Sequence, residues 1–134
     1  KVRLPGGGGA PEIATNCGET FIIMAMGKRA FMEKLPFITS MGHGPTGKER
    51  EQLGVRSKGP TKLITDMCIF EPDAQTNEMT VVSIHPGATR EEIIENCGWT
   101  PRFAANVGET PAPTAQELDV LRDIQARTKA AHGA

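Results

Sequence analysis

Four consecutive glycines, Gly6, Gly7, Gly8 and Gly9, run directly into Ala10-Pro11-Glu12. Glycine admits positive φ and lets a ligand or another backbone come close. A helix starting just behind the run aims its unpaired N–H groups outward. Together these features make a place to hold a carbonyl oxygen or an oxyanion; a plain tight turn is the competing reading. The run is not a dinucleotide fingerprint. Counted as G-x-G-x-x-G from Gly6, the last glycine falls on Pro11, and from Gly7 on Glu12.

A second glycine-rich stretch, GHGPTGKE from Gly42 to Glu49, nearly fits the phosphate-loop spacing G-x-x-x-x-G-K-[ST]. Glu49 stands where a hydroxyl should hold Mg²⁺, and a carboxylate there repels the phosphates. A flexible surface loop is expected instead. Its cations Lys48, Arg50, Arg56 and Lys58 are candidates for contact with anionic substrate groups, against the plainer reading of solvated charges. Asp66, alone in an apolar run, and His85, before Pro86-Gly87, are expected to be hydrogen-bonded scaffold. The cysteines, Cys17, Cys68 and Cys97, are odd in number and widely spaced, which favours structural thiols in a reducing compartment. His43, His85 and His132 offer no ligand spacing for a metal with them. No nucleophile and base stand near each other in sequence.

The chain has 134 residues, suited to one domain, with 38% hydrophobic and 4% aromatic residues and no tyrosine. Its core must come from Ile, Leu, Val, Met and Ala. A net charge of −1 gives no basic footprint for nucleic acid. No run approaches the ~18 apolar residues of a membrane span, and no leader pattern is visible, so a cytoplasmic protein is expected. The opening KVRLPGGGG, without an initiator methionine, suggests a piece of a longer chain.

The elements that must position these groups follow from local patterns. Ala10 to Asn16 suits a short helix, with Pro11 in its first turn and Glu12 near its positive end. FIIMAM, Phe21 to Met26, is a continuous apolar run expected as a strand buried on both faces. One helical turn is expected around Lys48 to Leu53 within the irregular stretch Gly42 to Pro60. Thr61 to Phe70 and Glu78 to Gly87 are expected as two strands, joined by the turn residues Glu71 to Asn77 into an antiparallel hairpin. Capping-box patterns open two helices, Thr89 with Glu92 and Thr114 with Glu117. The first carries Ile93, Ile94 and Cys97 on one face with Gly98 to close it. The second, carrying Leu118, Leu121, Gln125 and Thr128 at helical spacing, is expected to run roughly four turns. Strands and helices mix, so the class is α/β, part of a sheet covered by helices. There is no internal repeat.

Taken in order, PGGGGAPEIA, FIIMAM, KLPFIT, LITDMCIF and SIHPGATREEIIENCGW resemble the family I coenzyme A transferases. The resemblance runs from about Leu4 to Pro111 and is to the C-terminal part of the β subunit, of the glutaconate or 3-oxoacid kind. It implies a CoA-transferase-like α/β fold and an active site shared with a related α subunit. It also implies transfer of CoA from an acyl-CoA to a carboxylic acid through an enzyme glutamyl-CoA thioester. Coenzyme A would then be a substrate, as acyl-CoA, with no permanently bound cofactor. The glycine run matches the family's glycine loop. Gly6 to Gly9 would lie against the thioester, with the amides of Gly8 and Gly9 the best matches for its oxyanion contact.

The family's nucleophilic glutamate sits upstream of that loop in a Glu-Asn-Gly or Glu-Ser-Gly motif. No such motif occurs here, CGET and VGET having the order reversed, and the resemblance does not carry the nucleophile over to Glu19 or Glu109. The expectation is a single domain, residues 1–134, lacking the family's N-terminal part and inactive alone. It would associate through apolar patches left uncovered. Two alternatives stay open: a superfamily relative that hydrolyses a CoA thioester or a CoA-linked ring, and a non-enzymatic module that binds CoA or a protein.

Overall fold

The computed structural model describes residues 6–133. In chain order the elements are α1 (Ala10–Asn16), β1 (Thr20–Ile23), α2 (Glu49–Gln52), β2 (Pro60–Ile64), β3 (Cys68–Pro72), β4 (Met79–Ile84), α3 (Arg90–Glu95), β5 (Arg102–Glu109) and α4 (Ala115–His132). The strands form one mixed sheet in the order β1-β2-β3-β4-β5. The outer pairs, β1 with β2 and β4 with β5, are parallel, and the two inner pairs are antiparallel. The α/β class with helices flanking a sheet is thus observed.

The core sits over the middle strands. Phe70 of β3 pairs with Val81 of β4, and both are fully buried together with Cys68 and Ile93. Phe31, from the loop after β1, stacks between Phe70 and Trp99 with ring centroids 6.1 Å away on each side. The α3 helix is placed by its capping box and drives Ile93 and Cys97 into this cluster, while Ile94 stays exposed.

Three expectations are corrected. The run Thr61 to Phe70 is not one strand but two, broken at Thr65-Asp66-Met67. The Thr65 hydroxyl accepts from the amides of Met67 (3.1 Å) and Cys68 (2.9 Å) and donates to the Cys68 carbonyl. Turn chemistry was hidden in an apolar stretch. The hairpin across residues 73–78 is present, and a second one precedes it, pairing Leu63 with Phe70. The apolar run Phe21 to Met26 yields only a four-residue strand, and its residues are largely exposed, Ile23 at 79%. It is an edge strand among the described residues, so nothing there covers its outer side. Met24 and Met26 leave the sheet to pack on the core instead. Finally, β5 carries little strand propensity and was not anticipated.

The α4 helix is longer than expected, 18 residues, and buries none of them. Its start depends on the capping box. The Thr114 amide and hydroxyl both donate to Glu117, at 2.8 Å each, and hold the Glu117 carboxyl below its ordinary value of 4.5. Since the folded-state pKa is the lower one, this contribution is complete above about pH 4.5 and disappears as pH falls through the folded value. The first turn of α4 is therefore expected to fray on acidification. Thr114→Ala removes the hydroxyl but keeps the amide, so it should move the Glu117 midpoint part of the way back up and loosen the turn at neutral pH, which carbon-detected NMR titration of the Glu117 carboxyl would show. Among the described residues no helix is long and apolar enough to cross a membrane.

Candidate functional site

The glycine run is exposed and ends at the N-terminus of α1. The Gly7 carbonyl accepts from Ala10 N–H at 3.2 Å and the Gly9 carbonyl from Ile13 N–H at 3.1 Å, so the carbonyls are committed to the helix start. The amides of Gly8 and Gly9 donate to no other group of the described residues. Gly8 takes positive φ, 56°, which turns the peptide between the two arms of the loop. A Cβ added at Gly6, Gly8 or Gly9 meets nothing within 4 Å, whereas one at Gly7 meets Pro11 Cγ at 3.2 Å. The loop thus leaves open space beside the Gly8 and Gly9 Cα atoms, and the two amides have no partner among the described residues. Pro11 contributes no donor, and Glu12 sits in the first turn.

Beside this loop lies an apolar hollow of about 470 Å³ between α1, β1 and the segment at residues 40–42, walled by Ala10, Ile13, Ala14, Ile22, Met41 and Pro60. Ala10 belongs to both features, so an apolar chain in the hollow and a polar group at the amides are neighbours.

The other sequence candidates are accounted for by structure. In the phosphate-loop look-alike, Glu49 folds back on the loop and accepts from the Thr46 amide (3.0 Å), the Thr46 hydroxyl (2.9 Å) and the Lys48 amide (3.1 Å). Desolvation pushes its pKa up, but hydrogen bonds from Thr46, from Lys48 and from its own amide outweigh that and hold it below 4.5. Asp66 is exposed in the turn after β2 and accepts from the Met26 amide at 2.7 Å. His85 has Nδ1 2.8 Å from the Thr110 hydroxyl and Nε2 2.9 Å from the Thr65 carbonyl, so Nε2 carries the proton and the ring is a strut. Burial pushes the Cys68 and Cys97 thiols up, away from the reactive thiolate. Among the described residues no His, Cys, Asp or Glu cluster could hold a metal ion.

Of the four loop cations, Arg50 is not available to a ligand. It is 6% exposed and bonded to carbonyl groups. Its burial was missed because a basic residue in a glycine-rich loop looks solvated; the signal was Ser57 and Gly59 nearby. Lys58 is exposed and lies 4.0 Å from Glu19.

Residues 1–96 match the family model described as Coenzyme A transferase. The chain is 59% identical over 133 residues to the β subunit of 3-oxoadipate CoA-transferase from Pseudomonas knackmussii, covering 99% of this chain and 51% of that protein. It is 36% identical over 126 residues to the β subunit of glutaconate CoA-transferase from Acidaminococcus fermentans, covering 92% and 46%. The crystal structure of glutaconate coenzyme A-transferase from the same organism superposes with a TM-score of 0.76 at 35% identity, over 92% of this chain and 47% of that one. The chain spans about half the length of the curated relatives it matches. With the family model covering most of the sequence and the sheet superposing, the chain belongs to the coenzyme A transferase family.

Proposed function

We propose that this chain works as part of the β subunit of a CoA-transferase that moves CoA from an acyl-CoA to a carboxylic acid. The observation that carries this reading is the pair of amides at Gly8 and Gly9, without a partner among the described residues, beside an apolar hollow. A thioester carbonyl gains negative charge on oxygen whenever a carboxylate or a thiolate adds to it. Two fixed N–H donors stabilise that charge, and they do so more in the tetrahedral state than in the ground state. The hollow suits the apolar part of the acyl group.

The attacking carboxylate is a glutamate contributed from outside these 134 residues. Its oxygen adds to the acyl-CoA carbonyl and expels CoA thiolate, leaving a mixed anhydride. The thiolate then adds to the glutamyl carbonyl and releases the first carboxylic acid, leaving a glutamyl-CoA thioester. The acceptor carboxylate reverses the sequence and departs as its CoA ester. An α subunit completes the site. The 59% identity to the 3-oxoadipate CoA-transferase chain makes a 3-oxo dicarboxylate the acceptor to try first.

The test uses the full-length protein that carries this chain, assembled with its α partner and supplied with an acyl-CoA and 3-oxoadipate. The expected product is the CoA ester of 3-oxoadipate. Intact-protein mass spectrometry without acceptor should show an adduct equal to CoA less one water. The 134-residue chain alone should transfer nothing. Release of free CoA thiol with no acceptor ester would replace transfer by hydrolysis.

A further inference from the structure

The α1 helix has no buried residue; its apolar Ile13 is 66% exposed. Core packing within the described residues therefore does not set the direction of this short helix, although the glycine run leads directly into it. What holds it is polar and lies at its other end. The Thr15 carbonyl accepts from Arg50 Nη2 at 3.0 Å and from the Ser57 hydroxyl. Arg50 Nη2 also donates to the Ser57 hydroxyl oxygen, its Nε to the Ser57 carbonyl at 3.3 Å, and its Nη1 to the carbonyls of Met41 and Gly42 at 3.4 Å. The seam continues in the main chain: Lys58 N–H donates to the Gly18 carbonyl (2.9 Å), and Thr20 N–H to the Gly59 carbonyl (2.8 Å).

Two facts make this arrangement unusual. A buried arginine is ordinarily paired with an acid, yet no carboxylate of the described residues is in ion-pair contact with Arg50. Its charge is matched by carbonyl groups, among them one from the negative end of α1, whose last turn has no basic residue of its own. Next, Gly59 has φ +74°, and a Cβ there would lie 2.8 Å from Arg50 Nε and 2.9 Å from Cζ. The backbone is thus bare where the guanidinium lies against it. Only a planar fork with five donors reaches Thr15, Met41, Gly42 and Ser57 together; an ammonium does not.

We propose that Arg50 is a positioning residue: its guanidinium, seated on Gly59 and Ser57, fixes the C-terminal end of α1 through Thr15 and so fixes the aim of the Gly8 and Gly9 amides. The catalytic half of this statement rests on the oxyanion reading of the glycine loop given above; the mechanical half does not.

The test compares Arg50→Lys, Ser57→Ala and Gly59→Ala in the full-length protein assembled with its α partner. Three quantities are read: kcat and KM per folded active site, thermal midpoint, and hydrogen exchange of the hydrogen-bonded amides from Ile13 to Cys17. Arg50→Lys and Gly59→Ala should speed exchange of the hydrogen-bonded α1 amides from Ile13 to Cys17 about tenfold. They should leave the β3–β4 amides unchanged and lower kcat about ten- to thirtyfold, with KM for acyl-CoA within about threefold. Ser57→Ala should give a smaller effect of the same kind and serves as the deciding variant if the others fold poorly. Unchanged exchange at Ile13 to Cys17 would overturn the clamp. Faster exchange with unchanged kcat would overturn its role in positioning the amides. A wild-type assembly that transfers no CoA would sink the transferase reading alone, since the exchange experiment still judges the clamp.

Discussion

Replacing Gly8 by alanine is expected to lower kcat of the assembled enzyme by about 10²- to 10³-fold, the loss typical of removing an oxyanion donor. KM for acyl-CoA should stay within about threefold, because the interaction is realised in the transition state. The reasoning is local. Gly8 holds φ at +56°, where an L side chain costs roughly 1–2 kcal/mol. The chain relieves that strain by rotating the peptides on either side, and those are the peptides whose N–H groups point at the proposed carbonyl. A Cβ at Gly8 meets nothing within 4 Å, so the rest of the fold has no reason to respond. The thermal midpoint should therefore move little while kcat collapses. Asparagine tolerates the left-handed region better than other residues and valine tolerates it worst. A ranking of activity Gly > Asn > Ala > Val would tie the loss to backbone conformation. Steady-state kinetics on the four proteins decides it, and full activity in Gly8→Val would end the oxyanion reading.

The loop was legible in sequence because its signal is local: four glycines, then proline and an acid at a helix start. The capping boxes at Thr89 and Thr114 were legible for the same reason, each involving residues three apart. What failed depended on distant neighbours. FIIMAM has the composition of a strand buried on both faces, but burial is decided by what lies beside it, and β1 is an edge here. LITDMCIF has a threonine and an aspartate inside an apolar run. Only the pairing of Leu63 with Phe70 shows that they form a turn. The strand β5 is held by register with β4, Thr80 against Arg102 and Val81 against Phe103, rather than by its own propensity. Arg50 is the instructive case within the site. Its type suggested a solvated charge or a contact with an anionic substrate group, yet its fork is consumed by carbonyls from three separate segments, at Thr15, Met41-Gly42 and Ser57. No spacing rule brings those segments together.

Gly98→Ala is expected to be among the most damaging single-methyl changes in the fold. Gly98 follows α3 and donates its N–H to the Phe31 carbonyl at 2.7 Å. An added Cβ would lie 2.6 Å from that carbonyl oxygen and 2.8 Å from the Glu33 amide nitrogen. Both are backbone atoms, so no side-chain rotation relieves the clash. The segment from Phe31 to Glu33 must retreat. Phe31 is 3% exposed and stacked between Phe70 and Trp99, so its ring retreats with the backbone and opens the core. Overpacking of this kind costs roughly 1–3 kcal/mol, and loss of the Gly98 hydrogen bond adds about 1–3 kcal/mol. A combined loss of about 2–6 kcal/mol is a large share of the ~5–15 kcal/mol that holds a typical fold together. Gly108→Ala is the matched control. That glycine lies in β5, has no positive φ, and offers open space to a Cβ, so its replacement should change stability by less than about 1 kcal/mol. Urea unfolding of the two variants beside the parent measures the difference. Equal midpoints for Gly98→Ala and Gly108→Ala would mean that α3 and the Phe31 loop are not in the close contact on which this core depends.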